Sequence, residues 1–133
     1  MLHEISRVNQ PDPKWRRRWF RDDYFDIFTW QAADGSMIGF QVCYDLPNYE
    51  RVLSWRAVSG YTHHRVDGGE ATPVRNMSPI MVPDGLVPLT TVLEEFDQRA
   101  AELDLPIRTF LRQHLLDYGK AYPGEIDNRQ PGV

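Results

Sequence analysis

Four segments, residues 24–31, 37–45, 50–58 and 61–66, carry strand chemistry when their residues are divided between two faces with a period of two. Successive side chains of a strand point to opposite faces, so each segment predicts a β-strand. Phe, Trp, Tyr, Ile and Val dominate these runs, as suits a pleated and half-buried surface. Between the first two lies Ala33-Asp34-Gly35-Ser36, whose Asp-Gly pair supplies the positive φ of a tight hairpin. Leu46-Pro47-Asn48-Tyr49 marks the next turn. The four segments therefore read as a β-meander. Within it, one face of 24–31 carries Asp26, Phe28 and Trp30 and the other Phe25, Ile27 and Thr29. Bulky groups on both faces predict helices over one side and partial cover on the other. Gly39, inside a strand, marks a bulge or a close backbone approach.

The pattern changes period near the C-terminal end. Leu89, Val92, Leu93, Phe96, Ala100 and Leu103 fall on one helical stripe, and Ile107, Phe110, Leu111, Leu115 and Tyr118 on a second. Thr91, with Glu94 three residues later, predicts a capping box at the first helix. Asp104 predicts the cap of the second, Pro106 its first turn, and Gly119 its stop. At the other end, 2–8 predicts a short strand. The run from Lys14 to Arg21 predicts another, with Trp15, Arg17, Trp19 and Arg21 on one face and Arg16, Arg18 and Phe20 on the other. Residues 67–88 are a long connection rich in Pro and Gly, with room for an edge strand at 80–82. The fold expected is α+β: an antiparallel meander of about four to six strands, with two C-terminal helices packed on one face. Residues 1–120 form a single domain and 121–133 a flexible tail.

A chain of 133 residues suffices for one ordinary hydrophobic core. Its 41% hydrophobic and 26% charged residues are those of a globular protein. The formal charge of −4 disfavours a general polyanion binder, without removing a local basic patch. The lone cysteine, Cys43, permits no internal disulfide and fits a reducing compartment. Residues 1–10 lack the apolar core of a secretory signal, and no stretch approaches the about 20 apolar residues of a membrane span. Cytoplasmic residence with no membrane partner is the expectation.

Three constellations carry chemistry. His63, His64, Asp67 and Glu70 bring together imidazoles and carboxylates, the ligands a divalent metal needs. Adjacent residues of a strand face apart, however, and the spacing matches no established metal motif. The run from Lys14 to Arg21 holds five of the 15 Lys and Arg residues, interleaved with tryptophan. Such a run can hold phosphates and stack bases, or can pair with Asp22, Asp23, Asp26 or Glu50 and cover its own tryptophans. Cys43, inside an apolar strand, reads as a small buried hydrophobe. His114 sits at the edge of the core stripe on the second helix.

The strings Gly39-Phe40-Gln41-Val42-Cys43-Tyr44-Asp45, Glu50-Arg51, Ser54-Trp55-Arg56, His63-His64-Arg65-Val66-Asp67 and Val82-Pro83-Asp84-Gly85 together resemble a small family of bacterial proteins with no assigned activity, cofactor or substrate. The resemblance spans about residues 2–85 and implies a single domain. It transfers no catalytic residue.

The function expected is that of a non-catalytic domain, binding a small molecule or a protein without cofactor or metal. Its working surface is the aromatic and arginine-rich part of the sheet, with Arg17, Trp19, Tyr44, Trp55, Arg56, His63, His64 and Asp67 as ligand-binding residues. The alternatives are a metal-assisted enzyme using His63 or His64 with Asp67, and a single-strand nucleic-acid binder acting through Lys14 to Arg21.

Overall fold

The computed structural model describes residues 1–6, 8, 10, 13–48, 50–66, 81–83 and 87–122. They form one antiparallel sheet and two helices. The strands are β1 (His3–Ile5), β2 (Trp15–Arg21), β3 (Phe25–Ala32), β4 (Met37–Tyr44), β5 (Arg51–Arg56), β6 (Gly60–Val66) and β7 (Met81–Pro83). Their order in the sheet is their order in the chain, every neighbouring pair antiparallel. The expected α+β meander is thus present, six strands in succession with the three-residue β7 at its edge. The expected 67–88 loop, apart from this short strand and its last two residues, lies outside the described residues, as does the tail from residue 123.

The turns follow from their residues. Gly35 takes φ 91°, and the Asp34 carboxylate accepts hydrogen bonds from the Ser36 amide at 2.9 Å and its hydroxyl at 2.7 Å. Asp45 takes φ 59° and receives the Asn48 side-chain amide at 3.0 Å. A third turn interrupts the segment expected to run as strand through 58. β5 ends at Arg56 because Gly60, at φ 87°, reverses the chain, leaving Val58 at the tip, 93% exposed.

Helices α1 (Leu89–Arg99) and α2 (Leu105–Ala121) cover one face only. Phe20, Phe25, Ile27, Phe40, Val42, Tyr44 and Leu53 meet Val92, Phe96, Ile107, Leu111, Leu115 and Tyr118 in a single buried cluster. Phe25 and Phe96 pack edge to face at 6.2 Å. Leu93 and Phe110 lie partly buried against this cluster. β1 is tied to the end of α1, where the Leu2 amide donates to the Arg99 carbonyl at 2.8 Å.

Three helix-end expectations are revised. Thr91 is not the N-cap: α1 begins two residues earlier, after Pro88, whose φ of −74° already suits entry to a helix, and is anchored by buried Leu89. Asp104 does occupy the cap position of α2, but its carboxylate accepts from Arg18 Nη2 at 3.0 Å instead of capping the backbone. Gly119 does not stop α2, which continues to Ala121. A side chain at Gly119 would collide with Leu89 Cδ2, so the residue is small because α2 presses against the start of α1.

Candidate functional site

Strand register divides the expected site residues between two faces. Tyr44, Trp55 and His63 point to the helices. Tyr44 and His63 are buried, and the Tyr44 hydroxyl and His63 Nε2 share a hydrogen bond at 2.6 Å, their rings parallel. Trp55 lies against His114, ring centres 4.2 Å apart. Arg17, Trp19, Arg56 and His64 point to the opposite, uncovered face. His63 and His64 therefore do not join one site, and Asp67 lies outside the described residues. No group of three or more His, Cys, Asp or Glu among the described residues could hold a metal ion. The Lys14 to Arg21 run is split in the same way. Arg18 turns to the helix side, bound to Glu4 at 2.8 Å and Asp104 at 3.0 Å. Its hydrogen bonds hold the Glu4 carboxyl below the usual range, burial opposing.

The uncovered face has two electrostatic ends. At one, Trp19 Nε1 donates to Asp26 Oδ1, and Arg21 stands 3.8 Å from the same carboxylate. Burial and the Asp26 charge push the Glu50 carboxyl up, with Arg21 opposing. Cys43 is buried there, its thiol pushed up by burial first and then by Glu50 and Asp26. Burial and neighbouring carboxylates thus disfavour the thiolate, the form that acts as a nucleophile.

The other end is a groove of about 390 Å3. It runs along the rung Trp30–Gly39–Arg56, which crosses β3, β4 and β5 and which Arg17 of β2 continues beyond the groove. Gly39 leaves a gap in this rung, beside a bulge between Trp30 and Gln31. A side chain there would stand 3.0 Å from the Trp55 carbonyl, so glycine also serves the close approach of β5. Gln41, Ser54 and Thr62 extend the floor, while Trp15, Trp30 and Arg56 form the walls. Ser54 Oγ is buried without a hydrogen-bond partner among the described residues. Gly39 was the sequence signal for this groove. Trp15, Trp30, Gln41, Ser54 and Thr62 escaped notice because only cross-strand register brings them together.

No family model, curated protein or solved structure matches this chain. Function must be argued from the groove itself. No helix among the described residues is long and apolar enough to cross a membrane.

Proposed function

We propose that this protein is a non-catalytic binding domain that takes a small molecule in the groove on the uncovered face of its sheet. The observation that carries this reading is the groove's lining: two indoles, one exposed guanidinium and three small or amide-bearing polar side chains around a glycine gap. Ligand sites commonly combine an apolar wall with a few fixed polar groups in this way. The Asp26–Arg21 end of the face is already satisfied internally, which leaves the Arg56 end to meet a ligand. Trp19, His64 and Arg17 belong to the same face as supporting residues. The metal-assisted and nucleic-acid readings have no comparable observation behind them, since the two histidines face apart and the basic run is divided between faces.

Trp15, Trp30 and Trp55, three of the four tryptophans, are among the groove's lining residues, so tryptophan fluorescence reports on it directly. A small-molecule screen should yield saturable changes in tryptophan emission that Trp30→Ala weakens at least tenfold while the variant still folds. Hits that bind Trp30→Ala as tightly as the native protein would place the site elsewhere.

A further inference from the structure

Two arginines of the groove rung differ from their neighbours in what they meet. Arg18, Arg21, Arg99 and Arg112 each stand within 4 Å of a carboxylate. Arg17 and Arg56 have no carboxylate partner among the described residues. The Arg17 guanidinium lies over the Phe28 ring at 4.9 Å, and its Nε is buried without an acceptor. Arg56 is exposed, its Cγ 3.8 Å from the place a Gly39 Cβ would occupy. Arg56 therefore brings to the groove, beside Gly39, a guanidinium with no carboxylate partner among the described residues.

We infer that the groove selects a planar aromatic anion, an inference that rests on the binding reading above. Trp30 and Arg56 sit on either side of Gly39, about 10 Å apart at the backbone by the usual strand spacing. That interval accepts one flat ring beside the indole, and no side chain of Gly39 fills it. Arg56 can then reach a carboxylate or phosphate on the ring's outer edge, and its planar fork matches either group with two hydrogen bonds. Gln41 and Ser54 are among the residues on the floor, and the Gln41 amide supplies both donor and acceptor chemistry for polar atoms on the ring's inner edge. A neutral saccharide would use the indoles and the floor but would leave the Arg56 guanidinium without a counter-charge.

The test is titration of the full chain, followed by tryptophan emission and calorimetry, with five probes. Adenosine 5′-monophosphate and indole-3-acetate are planar anions, one a phosphate and one a carboxylate. Adenosine is the neutral ring, inorganic phosphate the anion without a ring, and a cello-oligosaccharide the neutral polar ligand. At least one planar anion should bind ten times more tightly than adenosine or phosphate, and whichever of the two leads identifies the anionic group. Arg56→Gln should remove that advantage and leave adenosine unaffected, while Trp30→Ala weakens both. Melting curves of the variants should match the native protein, Arg56 being exposed. Equal affinity for adenosine and its monophosphate, or indifference to Arg56→Gln, overturns the inference. Saccharide binding that depends on Trp30 with no response to planar anions overturns it too, yet leaves the groove as a binding site. Binding of no probe in a Trp30-dependent way sinks both. Oligothymidylate affinity that climbs with length and falls steeply with salt would replace the small anion by a nucleic-acid strand.

Discussion

The two faces of the sheet use the same residue types to opposite ends. On the helix side, aromatic and polar groups are locked together: Tyr44 with His63 at 2.6 Å, Tyr61 with His114 at 2.8 Å, and the Val87 amide with the Tyr118 hydroxyl at 3.1 Å. The Thr29 hydroxyl, buried on the same side, has no partner among the described residues. On the uncovered side, Arg17 Nε, Ser54 Oγ and His64 Nδ1 are all buried and unpartnered among the described residues. Burying a polar atom without a hydrogen bond costs free energy, so a partner for any of these atoms would be stabilising. The helix face holds the buried core, and the open face carries the groove.

The largest effect that would break this division is expected at Phe96, fully buried between α1 and Phe25. Phe96→Ala should destabilise the protein by about 3–5 kcal/mol in urea unfolding, through lost burial and the cavity left behind. A loss under about 1 kcal/mol, the range of ordinary surface changes, would mean that α1 is not packed on the sheet. Next comes Tyr44→Phe, which removes one oxygen from the helix face and with it the hydrogen bond to His63 Nε2. It should cost about 1 kcal/mol, the net worth of a typical buried hydrogen bond. A neutral result would show that the hydrogen bond is not a stabilising feature of that face.

A smaller effect is expected from His114, half-buried among Phe40, Trp55, Tyr61 and Phe110. Burial lowers its pKa from the ordinary 6.5, with Asp117 opposing. The unfolded chain therefore binds a proton more readily than the folded one, so stability rises with pH through this window. As pH falls from about 7 through the ordinary histidine range, native stability should decline, then level off with respect to this group below its folded pKa. The carboxylates Glu4 and Asp22, whose pKa values are held down, act only at still lower pH. His114→Gln should flatten the decline between about pH 7 and 5. An unchanged slope in the variant would assign the pH dependence to another group.

The meander and both helices were legible because period-two and period-3.6 patterns are local. Phe25-Asp26-Ile27-Phe28 declares two faces without reference to any other strand. Helix ends were less legible, since tertiary contacts override cap preferences. Asp104 has the residue type of a cap but spends its carboxylate on Arg18, 86 residues away in the chain. Gly119 has the residue type of a stop but serves a contact with Leu89. The site was read as a set of conspicuous side chains, and register then sent Tyr44, Trp55 and His63 to the helices and Arg17, Trp19, Arg56 and His64 away from them. The groove depends on which residues stand opposite Gly39, and that pairing is a property of two hairpins at once.

The smallest effect gives the sharpest comparison. Ser54→Ala also deletes a single oxygen, but from the uncovered face and from an atom with no described partner. Among the described residues no hydrogen bond is lost by this change, and a buried polar group is removed. Its stability should stay within about 0.5 kcal/mol of the native value or rise slightly, against the clear loss expected for Tyr44→Phe. Binding should respond in the opposite sense. If Ser54 Oγ donates to the ligand, its removal should weaken the planar anion about threefold to tenfold, the worth of one ordinary hydrogen bond. The two measurements together separate a hydroxyl kept for structure from one kept for a ligand. A stability loss beyond about 1 kcal/mol would show that Ser54 has a structural role, since surface changes away from such roles stay within about half that. In that case the groove would rest on its aromatic walls and on Arg56 alone.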